Sequence, residues 1–228
     1  MSTFDTVPKS KKDALVEVIL RLADDRLIHG HRLSEWTGHG PELEEDLALA
    51  NVALDMIGHA ASLYSYASEI EQKDEDDHYA YFRDDIDFKN IALVELPRGD
   101  FAFTIARQFL FSVYSYFLYT ELIKKVDDDQ LKGMLHKHLK EIKYHLRHSR
   151  EWVLRLGDGT EESHKRIQAA FDDLWMYTGE MFDMDESDAS AVDHNLFTDV
   201  SELKPAWKNL VDETLVEATL EVPDHNQY

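Results

Sequence analysis

The chain has 228 residues, 46 acidic against 24 basic side chains, a formal charge of −22, 43% hydrophobic residues and no cysteine. That length and apolar content suit one large domain or two small ones with a real core. The missing cysteines exclude disulfides, thiolate catalysis and Cys-ligated zinc or iron–sulfur clusters, and point to the cytoplasm. The negative field, with no basic stripe to offset it, speaks against nucleic acid and anionic membrane surfaces as partners.

No apolar run near the length of a membrane span is visible, and the N-terminus lacks the apolar core of a secretory signal, so neither is expected. The acid excess itself serves solubility or complements a basic partner.

The apolar periodicity is helical throughout, and no strand alternation stands out. A first helix is predicted from about Lys9 to Trp36, with Ala14, Leu15, Val18, Ile19 and Leu22 as its apolar stripe. A second opens at Gly40-Pro41-Glu42, with Pro41 suited to the first helical position, and runs to about Glu71. Leu49, Val52, Met56, Leu63, Tyr66 and Ile70 form its inner face. Residues 72–78 read as a solvated connection, and one or two short helices follow between Tyr79 and Leu96.

Asp100 is a suitable N-cap for a third long helix to about Val126. Asp127 and Gln130 resemble a capping box opening a fourth, which carries Leu131, Leu135, His138, Ile142, Leu146 and Val153 and stops at Gly157. Thr160 caps a fifth. Residues 183–200 read as an acidic loop, a last helix begins near Pro205, and the end VPDHNQY reads as irregular.

Four long helices with short connections, except for a crossover over residues 72–99, predict an all-α, ferritin-like four-helix bundle with extra C-terminal helices, in a single domain over 1–228. A di-metal carboxylate bundle takes two Glu-x-x-His pairs and two further glutamates from its four helices. Here His59 and His145 sit in amphipathic helices, but the positions three residues before them are Met56 and Ile142. The third helix centres on Ser112 and has no acid between Phe101 and Thr120.

Asp55 and Glu141 each stand four residues before a histidine, a spacing that serves an intrahelical acid–imidazole pair or joint binding of a metal. Asp24, Ile28, His31 and Glu35 form a ridge on the first helix, read either as ligands or as a solvent face. Glu35, His59 and His145 are the best placed candidates for a residual site, too few for two metals. Two literal Glu-x-x-His matches, Glu75/His78 and Glu161/His164, lack an apolar surround and read as surface.

The stretches HRLSEWTGHGPELEEDLALANVALDMIGHA (31–60), VELPRGDFAFTIARQFLF (94–111) and KEIKYHLRHSREWVLRLGDGTEES (140–163) resemble the structural subunit family of bacterial phenylacetyl-CoA 1,2-epoxidases. The resemblance continues through LWMYTGEMF (174–182) and EATLEVP (217–223). It implies a ferritin-like bundle, non-catalytic by itself and without a cofactor of its own. Its partner would be a homologous catalytic subunit carrying a di-iron centre, in a heterodimer that associates further.

A reductase subunit with flavin and an iron–sulfur cluster would supply electrons from NADPH for oxygen insertion into phenylacetyl-CoA. On that resemblance Glu35 keeps the first-helix ligand of the catalytic subunit. His59 and His145 keep its histidines, while Met56, Ser112 and Ile142 replace its acids. Two other readings stand beside this one. One is a free-standing metal-binding oxidase using Glu35, His59 and His145. The other is a helical homo-oligomer, a state also open to the structural subunit when its partner is missing.

Overall fold

The computed structural model describes residues 10–72 and 77–223. The expected helix start at Lys9, most of the 72–78 connection, Glu75 and the last five residues lie outside that range. Among the described residues the fold is all-α. Four long helices, α1 (Lys11–Ser34), α2 (Leu43–Glu71), α5 (Phe101–Lys125) and α6 (Asp129–Gly157), form the bundle. The crossover carries the short α3 (Asp77–Tyr81) and α4 (Ala92–Glu95), and α7 (Glu161–Trp175), α8 (Glu186–Asp193) and α9 (Lys204–Glu217) follow the bundle.

Local chemistry sets most of the helix starts. Ser10 accepts from the Asp13 amide, Asp100 from that of Phe103, and Thr160 forms a capping box with Ser163. The fourth bundle helix is capped by Asp128, which accepts from Leu131 N, and not by Asp127. Pro41 is not the first helical residue of α2 either. Asp46 accepts from Gly40 N at 3.0 Å, which folds the entering chain back over the first turn, and Glu42 becomes the N-cap.

The region 183–200 is not all loop. A capping box between Asp185 and Asp188 nucleates α8, and Arg21 of α1 pairs with both acids at 2.8 and 3.2 Å. Eight residues with little apolar period gave no stripe to read there.

The bundle is built from two close hairpins, α1 on α2 and α5 on α6. Gly30 marks the closest approach of the first pair, where a Cβ would meet Ile57 Cγ1 at 2.9 Å and Met56 Cβ at 3.2 Å. Residue pairs across the remaining seams run antiparallel: His59 with Glu141 and Asp55 with His145 between α2 and α6, and Arg26 with Ser115 and His29 with Gln108 between α1 and α5. With α5 and α6 antiparallel as neighbours, α2 and α5 run parallel. They need the long crossover that defines the ferritin-like connection.

One apolar cluster runs from Ala14 to Leu220. α7 and α9 close it over α5, with Phe171 against Phe109 and the Trp207 indole N–H donating to Leu110 O at 3.1 Å. α2 is, by length and composition, apolar enough to cross a membrane, with a mean hydropathy of 1.2 in its most apolar window. In the bundle that composition is divided between two faces. Leu49, Val52, Met56 and Leu63 are buried, while Leu43, Leu47 and Leu54 face outward.

The crossover is fastened to α1 by two adjacent buried acids. Asp24 accepts two bonds from Arg83, at 3.0 and 2.5 Å, one from Tyr64 OH at 2.5 Å and one from Lys89 N at 2.8 Å. Asp25 accepts from Ile91 N at 3.0 Å, and burial pushes its carboxyl up to about 7. The ridge predicted on α1 is therefore neither a ligand set nor one solvent face. Asp24 anchors the crossover, Ile28 and His31 line a hollow beneath it, and Glu35 lies exposed beyond.

Candidate functional site: the centre of the bundle

The three positions where acids are expected in a di-metal bundle, Met56, Ser112 and Ile142, are all buried in the interior. His59 and His145 are buried with them, at 3% and 1% exposure. Their neighbours in sequence, Asp55 and Glu141, sit a third exposed at the outer edge of the α2–α6 seam. The acid–imidazole pairs cross between helices and are not intrahelical. His59 Nε2 bonds Glu141 of α6, and His145 Nε2 bonds Asp55 of α2 at 3.0 Å. Because α2 and α6 are antiparallel, two identical acid-x-x-x-His spacings interlock head to tail.

The same seam continues on either side. His148 Nε2 bonds Glu45 Oε2 at 2.9 Å, His138 Nε2 bonds Ser62 Oγ at 3.2 Å, and Gln130 donates to Glu69 at 3.1 Å. The protonation pattern follows from the acceptors. A carboxylate can only accept, so His59, His145 and His148 each carry the proton on Nε2. Ser62 spends its own proton on His59 O, so His138 also donates from Nε2.

On the α1–α5 side the sequence points to Ser112 but not to Arg26, His29, Gln108 or Ser115, which join the two helices. Arg26 is 3% exposed, donates to Ser115 Oγ at 2.9 Å, and lies over the rings of Phe111 and Tyr119 at 4.6 and 4.9 Å. His29 donates to Gln108 Oε1 at 2.7 Å, and the Gln108 amide donates to Ser112 Oγ at 2.8 Å. These residues had one visible signal, polar side chains at i and i+3 inside the apolar run of the first helix. Arg26 Nε, Tyr119 OH and the Nδ1 atoms of His29, His59 and His138 have no protein partner.

The electrostatics are consistent with this arrangement. Burial is the largest influence on His59, and the neighbouring His138 and the Arg26 charge add to it, holding the imidazole well below its usual value. Burial likewise takes His138 down to about 3 and lowers His29 and His145. The His59 and His138 rings stack with centroids 3.9 Å apart, a contact suited to neutral imidazoles. Burial, and then the charge of Asp55, raise Glu141.

As a seat for two metal ions this centre does not fit. Every imidazole Nε2 is directed at a hydrogen-bond partner, the inner carboxylates are replaced, and a guanidinium brings positive charge where cations would sit. Among the described residues no group of three or more His, Asp or Glu side chains converges to hold a metal. Glu35 is not part of the centre. It is exposed at the end of α1 and bonds Arg32 at 2.8 Å. Gly30 lies against Ala53, Met56 and Ile57, which puts the α1 residues level with His59 near Arg26 and not a further two turns on.

The literal Glu-x-x-His matches are elsewhere. His78 is exposed and stacks on Phe82, while Glu161 pairs with Lys165 and His164 bonds Gly157 O at 2.8 Å.

The sequence profile of the family described as "Phenylacetic acid catabolic protein" matches residues 1–228. The chain is also 44% identical over 214 residues to the C component of the 1,2-phenylacetyl-CoA epoxidase of Escherichia coli strain K12, covering 94% of this chain and 86% of that protein. An all-α, ferritin-like bundle whose sequence matches along its whole length is a member of the phenylacetic acid catabolic protein family.

Proposed function

We propose that this chain is a structural subunit of a cytoplasmic phenylacetyl-CoA epoxidase complex in aerobic phenylacetate catabolism. It holds no redox cofactor and scaffolds a homologous catalytic subunit that carries the di-iron centre. A reductase subunit delivers electrons to that partner.

The observation that carries the reading is the centre of the bundle. Buried hydrogen bonds and the Arg26 cation take the place that carboxylates and metal take in a catalytic bundle. Such a centre spends its polar groups on joining four helices. The similarity to a component of a phenylacetyl-CoA epoxidase supplies the pathway.

The test is co-expression with the homologous catalytic chain from the same gene neighbourhood. Purified alone, this chain should carry substoichiometric iron and show no oxygen consumption with phenylacetyl-CoA and reductant. In the complex, iron should track the number of catalytic chains. Two irons per chain, or turnover from this chain alone, would overturn the proposal in favour of a free-standing oxidase.

A further inference from the structure

Tyr81, Phe82 and Ile86 are 71%, 68% and 65% exposed, within six residues of one another on the crossover. A surface cluster of large apolar side chains is uncommon unless something covers it. The segment that carries them is not loosely tethered. Arg83, between them, reaches inward to form the two bonds to Asp24, and its guanidinium lies 4.2 Å from the Phe88 ring centroid.

Arg83 also donates to Tyr79 O at 2.7 Å and Asp87 O at 3.2 Å, tying together both ends of the turn. The amides of Lys89 and Ile91 bond Asp24 and Asp25. Buried polar groups thus hold three apolar side chains out in water. Asp84 and Asp85 are exposed in the same turn, and Asp85 borders an adjoining hollow of about 440 Å³ lined also by Glu95, Arg32 and His31.

We infer that Tyr81, Phe82 and Ile86 form a preorganised docking knob for another protein subunit of the oxygenase, one presenting an apolar pocket bordered by lysine or arginine. The inference rests on the proposed function and adds where, and to what chemistry, the scaffold attaches. Aromatic anchors on a rigid support lose little entropy on binding and are the residues that dominate interface energetics. The exposed acids select a basic border. A second copy of this chain, at −22, meets like charge at such a surface, and anionic lipid does so equally.

The experiment uses the full-length chain and the co-expressed complex. The variant Tyr81→Ser/Phe82→Ser/Ile86→Ser should keep the parent's thermal midpoint and weaken association with another chain of the complex by at least about 30-fold. Asp84→Lys/Asp85→Lys should slow association and flatten its salt dependence. If the triple variant loses stability, hydroxyl-radical footprinting of the unmodified chain replaces it. Tyr81 and Phe82 should then be protected in the complex and open in isolation.

Assembly unchanged in a folded triple variant, or no protection on assembly, overturns the knob and leaves the scaffold reading intact. Failure of the parent chain to join any other chain overturns both. Self-association of the parent that the triple variant abolishes, or binding of the parent to phosphatidylserine vesicles, overturns the proposed occupant.

Discussion

Replacing Asp24 by asparagine tests how the crossover is held to the bundle. Asp24 is fully buried and takes four hydrogen bonds, two of them from the Arg83 guanidinium, whose side chain is 9% exposed. Removing the charge on one side leaves a buried cation without its counter-ion, a loss of about 3–5 kcal/mol. At about 2–4 °C per kcal/mol for a chain of this size, the thermal midpoint should fall by about 10 °C.

The double variant Asp24→Asn/Arg83→Met removes both charges. It leaves only weaker unsatisfied bonds, at about 1–3 kcal/mol, so it should be more stable than Asp24→Asn alone. Urea denaturation of the parent, both single variants and the double gives the coupling energy directly. Amide exchange at Lys89 and Ile91, whose N–H groups bond Asp24 and Asp25, should speed up in Asp24→Asn. A single variant within about 1 kcal/mol of the parent, or additive effects in the cycle, would refute the account of the clamp.

Three further outcomes are expected. Asp25 titrates near 7 in the fold against 3.8 unperturbed, so its stabilising contribution is complete below the lower value and is lost as pH rises through the upper one. Asp25→Asn should therefore exceed the parent in stability by about 1–2 kcal/mol at pH 5 and by about 4 kcal/mol at pH 8, in denaturation series at the two pH values. Restoring acids with Met56→Glu/Ser112→Asp/Ile142→Glu should destabilise the metal-free protein by several kcal/mol, with about one of the three charges offset by Arg26. An unaltered urea midpoint would mean that the three positions do not share one dry interior. Gly157→Ala drives a methyl group into Ala218 O, and should cost about 1–3 kcal/mol by differential scanning calorimetry through displacement of the chain after α9.

Much of the architecture was legible because it is local. Asp100 and Thr160 announce helix starts through their own side chains, and the apolar stripes of the bundle helices follow the helical period. The burial of Met56, Ser112 and Ile142 follows from the same period. What escaped depends on register between helices. The spacing of Asp55 to His59 and of Glu141 to His145 allows an intrahelical pair, and only the antiparallel setting of α2 against α6 shows that each histidine takes the other helix's acid.

Arg26 escaped for a related reason. A charged residue in an apolar run is ordinarily at the edge of its stripe, and nothing local reveals that Ser115 and two aromatic rings wait for it on α5. Glu35 misled because its flanking residues match a ligand motif, while the approach of α1 to α2 at Gly30 sets a different level.

The guanidinium at the middle of the bundle also bears on how such a protein could change over time. A carboxylate gained near Ser115 by a single substitution would be captured by Arg26 as an ion pair before it could serve an iron atom. Loss of Arg26 by itself would strip Ser115 and the two rings of their partner and yield no ligand in return. Neither single change supplies a free metal ligand, so a metal site at this centre would take coordinated substitutions on α1 and α5 together.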